Sequence, residues 1–174
     1  MMMPAIASDS WEAIGIRLAL ATLAGLLLGF EREWRGRDAG LRTHALVALS
    51  SAAITVSALL IAQDQPLERD ADPLRAVQGL AQAIGFIAGG LIFVRGGDVR
   101  NMTTAASLWL SAGVGIAAGA GQIVLVVLAS TMALLVLVLA TAIERLLSKS
   151  RDGASDYEEL GLPNRRGAID EEGK

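Results

Sequence analysis

Cysteine is absent from this 174-residue chain, and histidine occurs once, at His44. Without cysteine there is no disulfide, no thiolate nucleophile and no cysteine metal site. One histidine does not build a multi-histidine zinc centre. Charge is scarce too. Asp, Glu, Lys and Arg make up 19% of the residues, against about 25% in an ordinary soluble domain. The deficit is uneven: from Asn101 to Ile143 none of the four occurs, a run long enough for about two bilayer crossings at ~20 residues each. The net charge of -3 argues against nucleic acid as a partner. The opening MMMPAIASDS lacks the basic region of a cleaved signal peptide, so the chain is read as mature throughout. The sequence has no second histidine, no Gly-x-Ser-x-Gly elbow and no phosphate-cradling loop. No catalytic set is visible, and an enzyme is not expected.

Apolar residues fill the space that charge leaves, at 53% of the chain. Five stretches have the length and character of bilayer spans, at about 11–30, 43–62, 74–94, 103–119 and 122–143. They do not alternate polar with apolar as barrel strands would. In lipid the backbone must satisfy its own hydrogen bonds, so these spans are helices. The expected fold is therefore all-α and integral to the membrane, with a five-helix domain over 1–146. A polar, unstructured tail follows at 147–174. Arg17 lies inside the first span, about 9 Å from its start at ~1.5 Å per residue, where it snorkels or pairs with an outer carboxylate.

Loop charge sets the expected orientation. Arg32, Arg35, Arg37 and Arg42 follow the first span, Arg95 and Arg100 follow the third, and Arg145, Lys149 and Arg151 follow the fifth. The remaining connections carry little or no positive charge. By the positive-inside rule the N-terminus is periplasmic and the C-terminus cytoplasmic.

The chain also resembles itself. At an offset of 60, Leu20, Gly25, Gly29, Arg35, Gly36, Asp38, Thr43 and Ser51 each meet an identical residue. The Arg-Gly-x-Asp turn at Arg35 is repeated at Arg95. Two helix hairpins of like orientation, related by an axis along the membrane normal, plus a fifth helix are expected. This would bring both arginine turns together on the cytoplasmic face.

Small residues recur at intervals of four: Ala21, Gly25 and Gly29; Ala81, Gly85 and Gly89; Ser107, Ser111, Gly115 and Gly119. Such stripes let helix backbones approach closely in lipid. They serve packing within the chain or against a second copy, and a homo-oligomer is expected. Thr43 and Thr103 each stand where an apolar helix begins and are candidate N-caps. With Arg35, Arg42, Arg95 and Arg100 nearby, these helix ends form an anion-friendly patch, although capping and the positive-inside rule account for the same residues. Glu31, Glu33, Asp38 and Asp98 supply carboxylates on that side. Magnesium would take such oxygens, but the four are sparse for a cage. Gln78, Gln82, Ser107 and Ser111 would line a polar path or bond between helices. His44 is a candidate pH sensor or a structural residue.

Two strings carry a family resemblance. GFEREWRGRDAGLRTHALVAL and AIGFIAGGLIFVRGGDVRNMTTAASLWLSAGVGIAAGAG resemble the N-terminal membrane region of the MgtC/SapB family, over about residues 15–145. The resemblance implies a bacterial inner-membrane protein of about five helices, linked to growth in low magnesium and to survival inside host cells. No resident cofactor is expected, with magnesium as a possible ligand. Regulation of other membrane proteins such as ATP synthase is implied as the mode of action. By motif, the positions of interest are Glu31, Arg32, Glu33, Arg42, Thr43, His44, Arg95, Thr103, Thr104 and Trp109. Asn101-Met102 stands where the family pattern has Gly-Leu, and longer members continue into a soluble C-terminal domain. The leading expectation is action through helix contacts with itself or a partner. The alternative is a magnesium or proton path between the two hairpins.

With no native cysteine, Asp38→Cys and Asp98→Cys each offer one labelling position. Both are expected to react with a membrane-impermeant maleimide from the cytoplasmic side only. Modification of either from the periplasm would overturn the topology.

Overall fold

The computed structural model describes residues 10–64, 72–95 and 98–159. Five helices carry the architecture: α1 (Trp11–Trp34), α2 (Leu41–Gln63), α3 (Leu74–Leu91), α4 (Met102–Gly119) and α5 (Ile123–Glu159). Their boundaries follow local chemistry. Ser10 caps α1, its Oγ accepting from the Ala13 N–H at 3.2 Å, and Glu12 lies in the first turn, where the dipole favours an anion. α1 stops at Gly36, which holds φ +64. The Gly36 N–H donates to Glu33 O at 2.9 Å and the Arg37 N–H to Arg32 O at 3.0 Å. This is a Schellman stop, and glycine adopts it without Cβ strain. α4 stops the same way at Gly121, φ +76, with Gln122 N–H to Ala117 O at 2.9 Å.

Among the described residues, α1, α2, α4 and Ile123–Ile143 of α5 are long and apolar enough to cross a membrane. α3 is the exception, with 18 residues that include Arg75, Gln78 and Gln82. It ends at Leu91, earlier than the expected 94. Phe93–Arg95 then forms β1 and pairs antiparallel with β2 (Asp98–Arg100), in register Phe93↔Arg100, Val94↔Val99 and Arg95↔Asp98. The physical reason lies in the sequence. Gly89-Gly90 weakens the helix end, and Ile92, Phe93 and Val94 prefer an extended backbone. The two Arg-Gly-x-Asp turns thus differ in form, one a Schellman stop and the other a hairpin. The offset slips as well: α2 is capped by Gly40 and α4 by Asn101, one residue more than the 60 that aligns the turns. Asn101 sits in the left-handed region at φ 66, which asparagine tolerates better than most residues.

α1, α2 and α4 pack on one another, and α3 lies against α4. The seams are backbone on backbone. A Cβ at Gly25 would stand 2.7 Å from His44 O, one at Gly29 2.7 Å from Leu41 Cα, and one at Gly115 2.3 Å from Ala48 O. Small residues on facing helices gain dispersion contacts that lipid cannot better. Ala21, Ala24, Leu28, Ala52, Val114 and Ala118 fill the centre, and Val126 and Ala133 of α5 close over it. On α3 the stripe makes no such backbone contact within the chain. A Cβ at Gly89 would meet nothing within 4 Å, and Gly85 has only the Trp109 ring, at 3.4 Å. At the helix-start offset Trp109 occupies the place that Ala48 takes in the first hairpin, and its ring replaces close backbone contact.

Met1–Leu134 and Leu135–Lys174 form two compact units. In the second, α5 runs on to Glu159, past the start of the tail expected at 147. Glu144, Arg145, Leu146 and Leu147 are good helix formers and carry the helix onward. Residues 160–174 of the expected tail lie outside the described residues.

Gly115→Ala is expected to destabilise the protein by about 1–3 kcal/mol through overpacking against Ala48. Gly113→Ala, where an added Cβ meets nothing within 4 Å, should be neutral or slightly stabilising. Unfolding titrations in mixed micelles would compare them, and equal effects would contradict the packing.

Candidate functional site

The buried polar groups concentrate where α1 ends and α4 begins. Arg32, in the last turn of α1, is only 3% exposed. Glycine-mediated contacts seat both α1 and α4 on α2, and α1 also packs on α4, so the arginine faces protein. Its Nη2 donates to Thr104 Oγ1 at 2.7 Å and approaches Thr103 Oγ1 at 3.5 Å. Thr104 is buried and Thr103 exposed.

His44, in the first turn of α2, is fully buried. Its Nδ1 lies 2.9 Å from the Gly40 carbonyl and its Nε2 3.2 Å from Ser107 Oγ. A carbonyl oxygen only accepts, so Nδ1 carries a hydrogen. Ser107 Oγ is also 2.8 Å from the Thr104 carbonyl, so its single hydrogen has two possible acceptors. With Nε2 bare, the hydroxyl donates to histidine. With Nε2 protonated, histidine donates to the hydroxyl, which then donates to Thr104. Ser111 continues the line by donating to Ser107 O at 3.2 Å. Arg32, Thr104, Ser107 and His44 thus form one connected polar set across three helices.

The other candidates take different places. Thr43 and Thr103 are not N-caps. The caps are Gly40 and Asn101, neither using its side chain, so the threonines lie inside the helices. Thr43, Arg42, Asp98 and Arg100 are exposed, and the Arg95 side chain lies outside the described residues. Glu33 Oε2 accepts from the Leu41 N–H at 2.8 Å and takes over the cap at α2. Glu31 pairs with Arg35 one helical turn on, although neither Glu31 oxygen forms a well-directed hydrogen bond. Asp38 accepts from Asn101 Nδ2 at 2.7 Å, so the turn after α1 meets the start of α4. Among the described residues no three of His, Asp and Glu gather as a metal-holding group.

The four residues of the expected polar path do not converge. Ser107 and Ser111 are buried, whereas Gln78 and Gln82 are exposed on α3, opposite the face that buries Leu80, Ile84 and Ala88. Trp109 is half-exposed beside Gly85. Ser51 and Ser130 were not candidates from sequence, and their buried hydroxyls have no hydrogen-bond partner among the described residues. Sequence also gave no interior role to Arg17, whose Nη1 donates to the Gly119 carbonyl at 3.3 Å. A serine in an apolar helix reads as packing, so sequence carried no signal for the first two. Arg17, an arginine among apolar neighbours, was visible, but its acceptor was not.

Residues 18–146 match the model of the MgtC family. The chain is 40% identical over 124 residues to an uncharacterized protein of Synechocystis, a stretch covering 71% of this chain and 50% of that protein. It is 45% identical over 106 residues to Protein MgtC of Brucella abortus, covering 61% of this chain and 42% of the relative. It is 42% identical over 107 residues to Protein MgtC of Salmonella typhimurium, covering 62% and 43%. The match therefore spans about half or less of each relative's length. No solved structure matches the chain.

Thr104→Val is expected to cost about 1–3 kcal/mol, because the Arg32 guanidinium loses its shorter contact. Ser50→Ala, at an exposed hydroxyl, should stay within about 0.5 kcal/mol. Unfolding in mixed micelles reads both, and a neutral Thr104→Val would contradict the buried contact.

Proposed function

Because the chain belongs to the MgtC family, we propose that it is a non-enzymatic inner-membrane protein of magnesium or ion homeostasis. It acts through helix contacts with a second copy or with a membrane partner, ATP synthase being one candidate, and supports growth in low magnesium and survival inside a host. With α3 counted as a fifth crossing, its N-terminus is periplasmic and its C-terminus cytoplasmic.

The outward face of α3 carries the reading. Leu80, Ile84 and Ala88 turn inward, while Gln78 and Gln82 stand exposed and Phe86 is 86% exposed. An amide left unpaired in hydrocarbon is costly. Each glutamine both donates and accepts, so this face complements its own copy. Gly79, Ala83 and Gly90 are exposed beside them and permit close approach. The separation of these glutamines from Ser107 and Ser111 favours a contact surface over a conducting path.

The test is self-association in lipid bilayers by single-molecule photobleaching or energy transfer. The Gln78→Leu, Gln82→Leu double variant should associate about tenfold more weakly, given roughly 1–2 kcal/mol for an interhelical hydrogen bond in model peptides. It should also fail to restore low-magnesium growth to a strain lacking its own protein of this family. Unchanged association together with full restoration would reject the reading.

A further inference from the structure

We infer that the N-terminus of α4 and Arg32 together bind a phosphate-type oxyanion. Two arginines of α1 bracket α4, one at each end. At its C-terminal end Arg17 donates to the Gly119 carbonyl at 3.3 Å. The free carbonyls and the negative end of the helix dipole favour a cation there. At the other end Arg32 places its Nη2 on the hydroxyls of Thr103 and Thr104, in the first turn of α4. Here the dipole is positive and the free backbone groups are N–H donors, so a second cation is unfavourable.

Among the described residues, positive charge outweighs negative around Arg32. It is 3% exposed, and its Nε has no hydrogen-bond partner. The charges close enough to act on it are Arg35 and Arg37, of like sign, and Glu31. Glu31 is engaged by Arg35. A buried cation that must share its one nearby carboxylate is costly. α4 also begins without a side-chain cap. Asn101 turns its amide to Asp38 and to the Leu91 carbonyl instead.

An oxyanion answers these features at once. Its oxygens accept from the first-turn N–H groups, from the Thr103 hydroxyl and from Arg32. Thr103 and Met102 are exposed, so the site opens on that side. Arg32 reaches Thr103 only at 3.5 Å, the looser of its two contacts and the one a ligand would replace. Asp38, exposed and held by Asn101, opposes the anion. A lipid headgroup phosphate and free phosphate present the same chemistry. This inference does not depend on the α3 contact.

The full chain in dodecyl maltoside micelles, which hold no phosphate, is titrated with inorganic phosphate at constant ionic strength, with thermal unfolding as readout. A parallel series adds phosphatidic acid to the micelles and omits phosphate. A rise in Tm with phosphate assigns the site to a free oxyanion. A rise with phosphatidic acid alone assigns it to a lipid headgroup. In either series Arg32→Gln and Thr103→Ala should weaken the response about tenfold, as loss of a charge-assisted hydrogen bond implies, and Asp38→Asn should strengthen it. Thr103 is exposed, so Thr103→Ala stays informative if Arg32→Gln fails to fold. No rise in either series, or a rise that Thr103→Ala leaves unchanged, would overturn the site.

Discussion

Backbone lies on backbone where α1 and α4 cross α2, and the rest of the structure depends on that contact. At Gly25, Gly29, Gly115 and Gly119 no Cβ fits without displacing the facing helix. Lipid offers apolar surface as readily as protein does, so burial alone does not hold these helices together. Close approach does, by packing many atoms at van der Waals distance. It also creates a water-poor seam, in which every polar group needs a partner within reach.

The polar set from Arg32 to His44 exists because of that seam. At a wider separation Arg32 would reach solvent and His44 would lose Ser107. With the helices in contact, the arginine lies between α1 and α4 and the histidine between α2 and α4. The surrounding charges are asymmetric. Arg17 complements the end of α4 that it touches, whereas Arg32 opposes the end that it touches. The first arrangement is stabilising by itself, while the second leaves Arg32 to share Glu31 with Arg35.

The two hairpins show how similar residues yield different structure. Arg35-Gly36 ends a helix because α1 stays helical to Trp34. Arg95 lies in a strand because α3 has already ended. Gly25 meets His44 and Ala45 directly, whereas its counterpart Gly85 meets the ring of Trp109. One bulky side chain keeps the second hairpin open, so α3 turns two glutamines outward. The asymmetry between the copies is therefore what leaves α3 an unpartnered face.

Much of this was legible in the residues themselves. Hydropathy located the apolar helices, because lipid forces any spanning backbone to satisfy its own hydrogen bonds. The Arg-Gly-x-Asp string marked the turn at Gly36, because a left-handed residue is local chemistry. The small-residue stripes identified faces able to approach closely. They did not say which would, since Gly89 and Gly29 read alike and only the neighbouring helix distinguishes them. Likewise Thr103 before an apolar run reads as a cap, yet the cap is Asn101 and the threonine serves an arginine 71 positions away. Residue type and spacing determine a helix. Which side chains meet across three helices is decided by rotation and depth, and these are properties of the packed bundle alone.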